Sequence, residues 1–146
     1  FYKNIAVIKM RPGFKYKELE MYEKAGYKGI ILEGTGLGNS PVTSLDEYTK
    51  HHLLLLKAIE RMVKKGIVIL MVSQCPYGKV NMNVYSTGRD LIKAGVVPVP
   101  MTSEAAYVKL GWVLGHTKKP EEAKKMMLSN IAGELTERID PRAFLY

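Results

Sequence analysis

Apolar residues in this chain come in short runs separated by longer amphipathic stretches. Asn4-Ile5-Ala6-Val7-Ile8 is ended by Arg11-Pro12-Gly13, which predicts a buried strand followed by a turn. Residues 15–25 carry a helical rhythm through Leu19, Tyr22 and Ala25, and Gly26 stands where a left-handed residue closes a helix. Gly29-Ile30-Ile31-Leu32 predicts a second strand. Ser44 with Glu47 has the spacing of a capping box, so a long helix is expected to begin there. It would run through Leu45, Leu53, Leu54, Leu56, Ile59 and Val63 and end at Gly66. Residues 67–72 are apolar on both faces, as strands are in a parallel sheet covered by helices. The stretch 73–86, with Pro76, Gly78 and several side-chain amides, reads as loop. A short helix over 87–94, a weak strand over 96–99, a helix over 103–115 capped by Thr102, and a helix over 120–129 opened by Pro120 complete the chain.

Strands alternating with helices predict an α/β fold: a three-layer parallel sheet, flavodoxin-like or Rossmann-like, of about four strands flanked by helices. No repeat or linker divides residues 1–146, so one domain is expected. A chain of 146 residues, 47% hydrophobic and 25% charged, can hold a core without disulfides or metal. No apolar run reaches the roughly 20 residues of a membrane span. Cys75 is the single cysteine, which fits a reducing, cytoplasmic setting. The first residue is Phe1 and a core strand starts almost at once; the expectation is a piece of a longer protein or one product of a split gene. The net charge of +8 comes from lysines spread along the chain without a basic run, and reads as a solvated surface.

The candidate chemistry is sparse. Gly34-Thr35-Gly36-Leu37-Gly38 follows a strand, but a dinucleotide fingerprint needs G-x-G-x-x-G opening directly into a helix. The spacing here and Pro41 argue for a tight turn at the C-terminal edge of the sheet, where open α/β sheets bind ligands. Asn39 ends this turn with a side-chain amide that could read a small polar substrate. His51 and His52 are adjacent, about 100° apart on a helix, and cannot share a metal as an i, i+4 pair does. His116 is placed to cap a helix C-terminus, and Cys75 reads as an inert thiol. No pattern of residues calls for a cofactor or a metal.

Three segments carry a family resemblance. They are residues 29–39, residues 73–91 (Ser73-Gln74-Cys75-Pro76 through Val84-Tyr85-Ser86-Thr87-Gly88-Arg89-Asp90-Leu91), and residues 101–115. Together they resemble the C-terminal domain of the asparaginase/glutaminase family. With Asn130-Ile131-Ala132-Gly133-Glu134-Leu135-Thr136-Glu137-Arg138, they look most like the D subunit of the archaeal glutamyl-tRNA(Gln) amidotransferase. The resemblance implies hydrolysis of a glutamine or asparagine side-chain amide by threonine nucleophiles that lie in an N-terminal domain. Neither Thr-Gly-Gly-Thr nor Thr-Asp-Thr occurs here, so no residue of this chain is expected to be catalytic. It further implies that this domain completes the site of a neighbouring subunit, in a homodimer or a heterodimer. Asn39, with Gly38, would approach the substrate's α-amino side, and Tyr85 would help to close the site. The implied partners are an N-terminal catalytic domain or companion chain and, for a transferase, a tRNA-binding subunit. Asn39 stands where the transferase subunits are expected to carry His, a feature nearer to the free-standing asparaginases.

Overall fold

The computed structural model describes residues 1–135; the last residues of the resemblance, Thr136 to Arg138, lie outside them. The elements follow one another as β1 (Ile5–Lys9), α1 (Tyr16–Lys24), β2 (Gly29–Gly34), α2 (His52–Lys64), β3 (Val68–Ser73), α3 (Ser86–Lys93), β4 (Val97–Pro98), α4 (Ser103–His116) and α5 (Pro120–Leu128). All strand pairs are parallel, in the sequential order β1-β2-β3-β4. The three-layer α/β expectation holds. Because the order never reverses, each crossover helix falls on the same face of the sheet, and the other face needs its own cover.

The core divides accordingly. One cluster packs Ile30, Leu32, Ile69 and Met71 of the sheet against Leu19, Leu55, Ile59, Met62 and Leu91 of α1, α2 and α3. The second packs Ile31, Leu70 and Val72 against Leu110 and Val113 of α4 and Ala123 and Met127 of α5. Strands β2 and β3 are therefore apolar on both faces, whereas the edge strand β1 leaves Val7 and Lys9 exposed. Each fully buried Leu, Ile or Met contributes roughly 1.5–3 kcal/mol, so these residues hold the layers together. Pro98 ends the sheet in a strand of two residues, shorter than expected, because proline cannot donate a ladder hydrogen bond and tolerates only an edge.

One helix differs from the sequence pattern. α2 begins at His52, not near Ser44, and the capping box does not form. Asp46 and Thr49 satisfy the local backbone themselves. Thr49 Oγ1 donates to Asp46 Oδ1 at 2.8 Å and accepts from the N–H groups of Leu45 and Asp46, while Thr49 N–H donates to Asp46 Oδ1. A closed side-chain turn of this kind competes with helix formation. Leu45 is consequently 84% exposed, and the buried stripe of α2 is Leu55, Ala58, Ile59 and Met62, with Leu53 and Leu54 facing out. His51 and His52 stand at the helix start, and His52 Nδ1 lies 2.9 Å from Thr43 O.

Lys109 ties the second helix layer together. It is buried in α4, and its Nζ donates to Met127 O (3.0 Å) and Ser129 O (2.5 Å) at the end of α5 and pairs with the Glu134 carboxylate. Its ammonium thus meets carbonyls that a helix C-terminus leaves unsatisfied. Lys109→Met is expected to cost about 2–3 kcal/mol, the scale of lost hydrogen bonds to a charged group, measured by urea unfolding. The Lys109 ammonium, with the Ala132 N–H, holds Glu134 well below the usual carboxylate range, at about 2. A carboxylate lowered by folding stabilises fully above its unfolded value of 4.5, and that contribution is lost as pH falls towards 2. Glu134→Gln should therefore flatten part of the drop in melting temperature across that window; identical slopes would contradict the assignment.

Candidate functional site

Parallel topology brings the loops after β2 and β3 and the start of α3 to one edge of the sheet. β2 delivers Gly34 into a tight turn in which Thr35 and Asn39 exchange backbone hydrogen bonds at 3.0 and 2.9 Å. Gly36 (φ 53°) and Gly38 (φ 102°) take left-handed conformations there, as the glycine spacing predicts. No helix follows directly, so the turn cannot present a helix N-terminus to a pyrophosphate in the manner of a dinucleotide site.

The loop after β3 is laid over this turn. Ser73 Oγ donates to Gly36 O at 2.6 Å and accepts from Cys75 N–H, and Asn81 N–H donates to Leu37 O. Gln74 donates from Nε2 to both Met10 O and Glu33 O, tying the ends of β1 and β2 to the loop. The layers approach so closely that side chains are excluded. A Cβ on Gly38 would lie 2.7 Å from Val80, and one on Gly88 only 2.3 Å from Met82 O. Gly38 is buried, and its place is to let Asn39 sit under the loop. Arg89 completes the clamp, donating to Asn83 O and Val84 O at 3.0 Å.

Asn39 has a defined orientation. Its Oδ1 accepts from Thr87 Oγ1 at 2.8 Å, and its Nδ2 lies 3.5 Å from Thr35 O. Turning the amide over would set its oxygen against a carbonyl, so the N–H groups lie on the Thr35 side. Tyr85, the residue just before α3, is 55% exposed and stands two positions from Thr87. The structure thus brings Asn39 and Tyr85 to the same edge. Thr87, Gln74 and Arg89 complete the arrangement; all three lie in the segment 73–91 that carries the family resemblance, but the sequence alone assigns them no role.

Threonine hydroxyls in the described residues are not arranged as nucleophiles. Thr49 and Thr117 each donate to a carboxylate, Asp46 and Glu122, but both also accept backbone N–H bonds and serve as turn caps. Hydrogen bonds from Thr49 hold Asp46 below the usual carboxylate range, which makes it a poor base. His116 Nδ1 lies 2.7 Å from Trp112 O, within the last turn of α4. Cys75 is exposed.

The edge thus carries an oriented amide, Asn39, with the exposed Tyr85 beside it. The family described as the Glutaminase/Asparaginase C-terminal domain matches residues 4–127. The D subunit of glutamyl-tRNA(Gln) amidotransferase from Thermococcus kodakarensis is 50% identical over 137 residues, 93% of this chain and 29% of that protein. The same subunit from Pyrococcus furiosus is 48% identical over 144 residues, 98% of this chain and 30% of that protein. This chain therefore spans about 30% of the length of the curated relatives it matches. Among solved structures, the thermostable L-asparaginase from Thermococcus kodakarensis superposes with a TM-score of 0.81 at 36% identity, covering 94% of this chain and 39% of the other. L-asparaginase I from Vibrio cholerae gives 0.77 at 32% identity, covering 92% and 38%. A sequential parallel sheet, a glycine turn ending in an oriented amide and a family match over residues 4–127 agree: this chain belongs to the glutaminase/asparaginase C-terminal domain family.

Proposed function

We propose that this chain is the substrate-closing half of an amidohydrolase, the glutaminase subunit that supplies ammonia for amidation of glutamyl-tRNA(Gln). The threonine nucleophiles then lie in a domain or companion chain outside these residues. The observation that carries the reading is Asn39, an amide fixed by Thr87 on a domain edge where no described threonine is arranged as a nucleophile. The amidotransferase assignment is supported by the identity of about half the residues to the D subunits. A second reading, the corresponding half of an L-asparaginase, is favoured by the solved structures it resembles and by Asn at position 39.

The amide's orientation refines the role of Asn39. With Oδ1 accepting from Thr87 and Nδ2 near Thr35 O, the amide still has one N–H and one oxygen lone pair to offer. The N–H suits the α-carboxylate of glutamine or asparagine, and the second lone pair of the oxygen suits the α-ammonium. In the dimer, Asn39 reaches the α-amino and α-carboxylate side of the substrate in the partner's site, with Gly38 shaping the turn and Tyr85 covering the pocket.

The 146-residue chain alone is expected to release no ammonia from glutamine or asparagine, since loss of a nucleophile costs on the order of 10⁶ in rate. Measurable turnover by the purified chain would overturn the division of labour. In the full-length enzyme, Asn39→Ala should lower kcat/KM by about one to two orders of magnitude, the value of a hydrogen bond to a charged group. Asn39→Asp separates the two addresses. It should be worse than alanine if the target is a carboxylate, through like-charge repulsion, and better than alanine if the target is the ammonium.

A further inference from the structure

In a parallel α/β domain every crossover helix ends at the edge where the strands begin, opposite the glycine turn. Here that edge collects lysines that are scattered in sequence. Lys3 precedes β1, and Lys28 sits between β1 and β3, its N–H donating to Asn4 O and its carbonyl accepting from Val68 N–H. Lys24 and Lys64 end α1 and α2. Lys118 and Lys119 lead into α5, whose Pro120 packs near Gly66 at the end of α2. All six side chains are exposed, and among the described residues none of them forms an ion pair.

Most carboxylates close to this edge are already engaged, Glu60 one turn before Lys64 being the exception among the described residues. Glu23 is held by Arg61 and Lys65 at 2.7 Å, Asp90 faces Lys93, Glu121 pairs with Lys124, and Glu122 accepts from Thr117. Attraction to helix dipoles accounts for Lys24 and Lys64, which stand in last turns. It does not account for Lys3, Lys28, Lys118 or Lys119, which lie in connections. The sheet is about 15 Å across, with a helix layer about 10 Å away on each face, so the charge covers an area far wider than one small anion needs.

We propose that this edge is a docking surface for the phosphate backbone of a structured RNA. Lysine is a point charge that meets phosphates without reading bases, so recognition here is of backbone and shape. The edge lies away from Asn39 and Tyr85, and bound RNA leaves the small-molecule site open. The choice of RNA among polyanions rests on the amidotransferase reading, whereas the charge pattern stands without it.

The test uses the full-length protein and a fluorescein-labelled RNA duplex of about 20 base pairs, followed by anisotropy across a salt series. Lys28→Gln/Lys118→Gln/Lys119→Gln is compared with Lys15→Gln/Lys17→Gln/Lys57→Gln, which removes the same charge elsewhere. The edge triple should weaken binding at least about tenfold and lower the salt slope by about two to three, and the control triple should change Kd less than about threefold. Equal weakening by both triples, no change in the edge triple, or loss of binding to anionic phosphatidylserine vesicles with RNA binding intact would overturn the proposal. Ammonia release from glutamine is assayed on the same samples. RNA binding that depends on the edge in a protein without glutaminase activity would count against the amidotransferase reading and leave the RNA surface standing.

Discussion

The close approach of two loops at the C-terminal edge of the sheet is the constraint on which the site depends. Gly34 and Gly38 let the turn after β2 fold back on itself and under Val80 and Met82, and Gly88 lets α3 meet the backbone at Met82. Any side chain at these points would push the layers apart. Because they meet, Thr87 reaches Asn39, and a surface amide becomes a group of fixed polarity. Ser73, Gln74 and Arg89 then fasten the loop to three different pieces of backbone. The orientation of the amide follows from the backbone packing.

The two ends of the same sheet have different characters. The C-terminal edge carries the polar, glycine-rich turn and the oriented Asn39. The opposite edge carries lysines, brought together because the crossover helices run antiparallel to the strands. Fold topology alone keeps the two surfaces apart. Between them, Lys109 anchors α4, α5 and the segment to Glu134 as one cover for the second face.

Much of this was legible in the sequence. The strands, α1, α4 and α5, and the left-handed glycines at positions 26, 36, 38 and 66 follow from local pattern and backbone sterics. Asn39 and Tyr85 were selected through a family resemblance, and the match to the glutaminase/asparaginase C-terminal domain supports that family. The start of α2 was not legible, because the Asp46–Thr49 turn uses the same residue types that cap helices. Nor was the orientation of Asn39, since its partner lies 48 residues away and no local rule links them. The lysine edge is not legible for a related reason: its members are separated in sequence and meet only through the topology.

The central claim is that this domain lends Asn39 to a site whose nucleophile belongs to another subunit. Subunit mixing measures this directly. Full-length protein with its nucleophile removed is combined with full-length Asn39→Ala protein, and the mixed dimers are isolated. One site of each mixed dimer then holds an intact nucleophile and an intact Asn39, so the isolated mixed dimers should show about half of wild-type activity, from the two-fold arrangement alone. Mixed dimers that form and show no activity above either parent would contradict the account.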